Sequence, residues 1–274
     1  MPGADDILVA ARSALLDALL ALGEHMDQVT IIGAQAIYLH TGGADVALAE
    51  ATKDSDLVLD PRNLADDPRL EEAMTGAGFH QNLENPQPGA WLSPTGIPVD
   101  LMVPEALAGG TSRRSGRIPP HANHATRRAV GLEAAVIDRA RMPIRALDPA
   151  DDRDVTAYVA GPAALLVAKL HKLGERLDQP TRLLDKDAHD SYRLLVATRT
   201  EELARSLGRL LAEELSATVT RQAVRHLTEI FAAGPEAIGS RMAGRAEALV
   251  GNPDTVARSV SILASDLTTS LEYT

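Results

Sequence analysis

Thr52-Lys53-Asp54-Ser55-Asp56-Leu57-Val58-Leu59-Asp60 is the stretch whose reading decides the fold. The run from Ser55 to Asp60 reads as a β-strand. Side chains alternate along a strand, so Asp54 and Asp56 point to one face. Two carboxylates on one face repel each other unless a cation sits between them. Mg²⁺ is the hard cation that suits them, since it takes a few carboxylate oxygens together with substrate phosphates and water. The plain alternative is a polar strand edge at the surface.

Upstream, Val29-Thr30-Ile31-Ile32 is a short β-branched run, followed by Gly33 and by a helical stretch from Ala34 to His40. Strand, glycine turn and helix form the first unit, and the N–H groups at such a helix start suit a phosphate. An amphipathic helix is expected before it, from about Asp5 to Leu22. Downstream, Leu70 to Met74 belongs to a helix that stops near Gly76 and Gly78. Ile97 to Val103 reads as a further strand. It carries Asp100, a third carboxylate if that strand neighbours the first. Two metal ions held in this way activate an attacking hydroxyl and stabilise a leaving pyrophosphate. Residues 108–126 hold Gly, Ser, Pro, His and Arg and read as a loop. Two or three short strands are expected between Leu132 and Val159, with Val136-Ile137 and Pro143-Ile144 as nuclei.

Gly161-Pro162 opens a long helix, with proline in the first turn where its missing N–H does no harm. The pattern is helical from there onward, with breaks near Pro180, Thr198 to Thr200, Gly234-Pro235 and Asn252-Pro253. The chain thus divides into an α/β domain over residues 1–159 and a helical domain over 160–274. Lys169, Lys172 and Arg176 stand at i, i+3 and i+7 and share one helix face. Three cations on one face need anions opposite them. Either a ligand supplies these, or Asp187 and Asp190 of the next helix form an inter-helix salt bridge. His171 and His189 read as packing or rim residues, Tyr38 and His40 as helix-face residues, and Trp91 as core.

The net charge of −11 argues against nucleic-acid binding over the whole surface. One stretch departs from it. Between Gly109 and Arg128 lie Arg113, Arg114, Arg117, Arg127 and Arg128, with His121 and His124 and no acidic residue. It is either a solvated mobile loop or a phosphate-contacting arm. The absence of cysteine excludes disulfides, zinc fingers, Fe–S clusters and thiol nucleophiles. Asp5 and Asp6 stand where a signal peptide carries positive charge, and no apolar run reaches membrane-spanning length, so a cytoplasmic protein is expected. Aromatic residues make up only 3%, which leaves Ala, Leu and Val to build the core and favours helices.

The order Gly33-Ala34-Gln35-Ala36-Ile37, then Thr52-Lys53-Asp54-Ser55-Asp56-Leu57, then Val99-Asp100-Leu101 resembles the polymerase-β-like nucleotidyltransferase superfamily. In the C-terminal half, Leu165 to Leu173 with Arg176, followed by Lys186-Asp187-Ala188-His189-Asp190 and Tyr192-Arg193-Leu194-Leu195, is similar to the lysine and aspartate motifs of its AbiEii/MenT toxin branch. The resemblance covers roughly residues 29–197. It implies an α+β chain: a nucleotidyltransferase-fold mixed sheet with flanking helices, then an all-helical C-terminal domain that completes the cleft. It implies an enzyme that moves NMP from an NTP to an acceptor hydroxyl with Mg²⁺, of toxin–antitoxin or defence type. The implied acceptor is a tRNA 3′ end approached by the Arg113 to Arg128 arm, and a cognate antitoxin is an implied partner. Carried over, Asp54 and Asp56 are metal ligands, and Asp100 is a third ligand or helps deprotonate the acceptor. Gly33, Ala34, Thr52, Lys169, Lys172 and Arg176 receive the nucleotide. Lys169 contacts the triphosphate, and Asp190 orients that lysine or the substrate. Ala34 departs from the family pattern, which places Gly or Ser there, and leaves only backbone donors to the phosphates. A protein or small-molecule acceptor, or a nucleotide-binding protein without catalysis, stays open beside this reading.

Overall fold

The protein is described here by a computed structural model that covers residues 4–42, 54–84 and 86–272. It is α+β, with a mixed open sheet and a mostly helical C-terminal region. Two compact units emerge: Met1–Ala36 with Ala51–Ala160, and Ile37–Glu50 with Gly161–Thr274.

The first unit is built on one sheet. Its strands are β1 (Val29–Ile32), β2 (Ser55–Leu59), β3 (His80–Gln81), β4 (Ala90–Leu92), β5 (Pro98–Pro104), β6 (Arg127–Ala129), β7 (Arg139–Arg145) and β8 (Asp154–Ala160). They run in the order β3-β4-β5-β2-β1-β8-β7, with β6 added against β5. All four residues of β1 are buried. Such an unbroken β-branched run belongs in the middle of a sheet, covered on both faces. β2 is antiparallel to β1 and parallel to β5. Helix α1 (Ala4–Ala21) packs on this centre with Leu15, Leu16 and Leu19 fully buried. Ser55 Oγ donates 3.1 Å to the carbonyl of Ala11, which ties α1 to the start of β2. Buried Arg12 donates from the same helix to Gln35 Oε1 at 3.0 Å and to the Arg145 carbonyl at 2.9 Å. Helix α2 (Gly33–Thr41) leaves β1 directly, and α3 (Leu70–Gly76) buries Leu70 and Met74. Trp91 is core, its indole N–H donating 3.1 Å to the carbonyl of Ala125.

Val136-Ile137 is not a strand nucleus. Glu133–Val136 forms a short 3₁₀ turn, because Glu-Ala-Ala lacks apolar alternation and Glu133 Oε1 accepts the Ala106 N–H at 3.0 Å. The strands there are β7 and β8, which pair over their full length from Arg139↔Ala160 to Arg145↔Asp154. Residues 108–126 form a loop tied together by its own hydrogen bonds. Gly109 and Gly116 donate to the carbonyls of Arg117 and Thr126, and Ser115 Oγ donates to Asn123 at 2.5 Å.

The second unit contains α4 (Pro162–Gly174), α5 (Asp185–Ala197), α6 (Thr200–Ala212), α7 (Glu214–Leu227), α8 (Ile238–Ala246) and α9 (Pro253–Glu272). Leucine and alanine fill its core, with Phe231 fully buried among them. The break between α6 and α7 at Glu213 carries no Pro or Gly; Ser216 Oγ, in the first turn of α7, donates 2.7 Å back to the Leu210 carbonyl of α6. Arg193 is buried, and its guanidinium donates to Thr41 Oγ1 and to the Thr41 carbonyl at 3.1 Å. A cation thus sits at the C-terminal end of α2, the favourable end of the helix dipole. No helix among the described residues is long and apolar enough to cross a membrane.

Candidate functional site

The first unit brings Gly33, Asp54, Asp56 and Asp100 to one region of its sheet. Antiparallel pairing sets Ile32 opposite Asp56, so the residue after β1, Gly33, lies beside the Asp56 side chain. Gly33 has φ +69°, the left-handed region that favours glycine. A Cβ there would fall well inside contact distance of Asp56 Oδ2, and only 3.0 Å from its Cγ. The missing side chain therefore makes the space in which the carboxylate lies over the start of α2. Gly33 and Ala34, at the first turn of α2, are half-buried. Gly33→Ala is expected to cost about 1–2 kcal/mol in backbone strain and to turn the Asp56 carboxylate aside; denaturant unfolding measures the first.

Parallel pairing sets Asp56 opposite Asp100. The two are cross-strand neighbours on one face. Asp54 stands immediately before β2, two residues ahead of Asp56. All three are half-buried. Asp100 differs from the expectation of an open third ligand: its Oδ2 accepts a 2.6 Å hydrogen bond from Arg127 Nη2. Thr52, expected to meet the nucleotide, lies outside the described residues.

Mg²⁺ takes one or two protein carboxylates and completes its octahedron with phosphate oxygens and water. Asp54 and Asp56 fit that donor set, and Asp100 is engaged by a guanidinium. Among the described residues, no group of three or more His, Asp or Glu side chains is arranged to hold a metal ion. A cation on Asp54 and Asp56 completes its shell with water or with oxygens from a substrate.

Comparison with protein-family models, with curated proteins and with solved structures yields no match. The chemistry of this chain has to be read from its own geometry.

In the second unit, Lys169, Lys172 and Arg176 of α4 meet Asp187 and Asp190 of α5. Lys169 Nζ lies 2.9 Å from Asp187 Oδ1 and 2.6 Å from Asp190 Oδ2. Lys172 Nζ reaches Asp187 Oδ1 at 2.9 Å, and Arg176 Nη1 reaches Asp187 Oδ2 at 3.3 Å. Asp187 is the hub, with its side chain only 1% exposed and three cations upon it. Burial alone would lower the pKa of the Lys169 ammonium, but the charges of Asp190 and Asp187 outweigh burial and raise it. Burial alone would raise the Asp187 carboxyl, and Lys169 and Lys172 instead hold it well below the carboxylate range. The inter-helix salt bridge weighed from the sequence is thus present. It leaves one formal positive charge, three cations against two carboxylates, and that charge is carried outward by Lys172, whose side chain is 39% exposed. The sequence named Asp187 only as a partner; its place as the hub follows from burial, which no spacing reveals.

His171 and His189 are packing residues. His171 Nε2 bonds the Val219 carbonyl at 2.8 Å, and His189 Nε2 bonds Glu247 at 2.7 Å. In the basic stretch, Arg113, Arg114 and Arg117 are exposed, whereas Arg127 and Arg128 are half-buried. Arg128 donates to the carbonyls of Ala108 and Gly109, at 3.1 and 3.3 Å, and closes the loop on itself.

Proposed function

We propose that this chain is a Mg²⁺-dependent nucleotidyltransferase. The acceptor hydroxyl oxygen forms a bond to the α-phosphorus of an NTP, the bond from that phosphorus to the bridging α–β oxygen breaks, and pyrophosphate leaves with the electron pair. The hydroxyl proton passes to a carboxylate or to water at the site. The observation that carries this reading is the Asp56 carboxylate lying over Gly33 at the start of α2, with Asp54 two residues ahead of it at the head of β2. A helix start that offers N–H groups beside hard oxygen ligands suits a metal-bound polyphosphate. Bound there, Mg²⁺ supplies charge neutralisation at the phosphates and orients the leaving group. The motif order that resembles the AbiEii/MenT branch supports the same reading, and with it a toxin–antitoxin or defence role.

In the helical unit, Asp187 and Asp190 hold Lys169, and Lys172 carries the outward charge of that cluster. Arg113, Arg114 and Arg117 are the cations assigned to an RNA acceptor, tRNA in the first instance. The double variant Arg113→Ala/Arg114→Ala is expected to lower label transfer to tRNA about tenfold or more at physiological salt, since each lost phosphate contact weakens binding and reduces its salt dependence. Its thermal stability is expected to stay that of the wild type, because both side chains are exposed.

The test of the reading is a panel of α-labelled NTPs incubated with the protein, Mg²⁺ and either total tRNA, total protein or neither. Label on tRNA, lost with a chelator, supports the proposal as stated. Label on protein keeps the chemistry and changes the acceptor. Label on neither, with bound nucleotide recovered unchanged, describes a nucleotide-binding protein instead.

A further inference from the structure

Arg127 is more than a member of a basic stretch. Its backbone lies in the sheet, as β6 pairs in parallel with β5 through Met102↔Arg127 and Val103↔Arg128. Gly89, at φ +75°, permits this: a Cβ there would stand 2.6 Å from the Arg127 nitrogen. Gly89 also accepts the Leu101 N–H at 2.8 Å and donates to the His124 carbonyl at 2.8 Å, so the end of the arm is pinned beside β5. From this fixed position the guanidinium reaches Asp100, with the two side chains 28% and 25% exposed.

Asp100 is the cross-strand neighbour of Asp56. Carboxylates so placed need an intervening cation, and a guanidinium already meets that need at Asp100. A divalent ion seeking Asp100 has to displace a hydrogen-bonded cation from a carboxylate and lie near its positive charge. We propose that Arg127 is a positioning residue that stands in for a second metal ion, so that the site takes a single divalent cation on Asp54 and Asp56 and Asp100 stays outside its coordination shell. This inference rests on the reading of Asp54 and Asp56 given above.

The test is a titration of the full chain with Mn²⁺ alone, counting bound ions by electron paramagnetic resonance. The wild type binds one per chain. Arg127→Gln binds two, and Arg127→Gln/Asp100→Asn returns to one. Arg127→Lys, which keeps the cation, binds one. Asp100→Asn alone also binds one and decides the matter if Arg127→Gln does not fold. A count for Arg127→Gln equal to that of the wild type overturns the proposal, as does loss of the wild-type ion in Asp100→Asn or a wild-type count of two. Failure of the underlying reading looks different: Mn²⁺ binding by the wild type that is absent, or that Asp56→Asn leaves untouched.

Discussion

Asp56→Asn is expected to reduce transfer of α-labelled NMP by about 10³-fold, roughly 4 kcal/mol of transition-state stabilisation. Asparagine keeps the shape of the side chain but offers the metal one neutral carbonyl oxygen instead of a charged carboxylate. The neighbours Leu57, Val58 and Leu59 remain fully buried and hold the strand in place. The fold is therefore expected to survive, with a thermal midpoint within a few degrees of the wild type. Single-turnover assays with saturating Mg²⁺, set beside thermal melts, separate the loss of chemistry from loss of structure. A variant that keeps wild-type transfer removes Asp56 from the reaction.

Asp187→Ala is expected to destabilise the helical unit by about 3–5 kcal/mol, the usual consequence of leaving buried charge without its partner. Lys169 keeps only Asp190, and Lys172 and Arg176 lose the carboxylate they share. Denaturant unfolding followed by helical circular dichroism measures the effect. The pH dependence has a definite sign. The folded Asp187 carboxyl is held below its ordinary value, so its stabilisation is present above the unfolded pKa of about 3.9 and is lost as pH falls towards the folded value. The wild type is therefore expected to lose stability below about pH 4 more steeply than Asp187→Asn, with the two curves running parallel at neutral pH.

How much of this was legible beforehand depended on whether the deciding physics was local. β1, β2 and β5 announced themselves as β-branched or apolar runs, and Gly33 as the turn between a strand and a helix. The single-face reading of Asp54 and Asp56 was an inference from strand alternation, and β2 begins only at Ser55, after Asp54. The neighbour relation of Asp56 and Asp100 could not be inferred in that way, because it rests on strand order, which periodicity does not encode. Arg127-Arg128-Ala129 carries no apolar alternation, so β6 was hidden within a basic stretch; its pairing depends on Gly89 and on Trp91 holding the Ala125 carbonyl. Val136-Ile137 misled in the opposite direction, since two β-branched residues after Glu-Ala-Ala complete a turn rather than begin a strand. In the helical half, Pro and Gly marked most helix ends, and the boundary at Glu213 had neither.

The claim at the centre of the account is that the β2 carboxylates receive a divalent cation together with a triphosphate. Crystals grown with Mn²⁺ and a non-hydrolysable NTP analogue, measured for anomalous scattering, test it directly. The account predicts a peak about 2.0–2.3 Å from carboxylate oxygens of Asp54 and Asp56, with the analogue's phosphates at the first turn of α2. A well-ordered analogue and metal bound elsewhere, with both carboxylates bare, would contradict it.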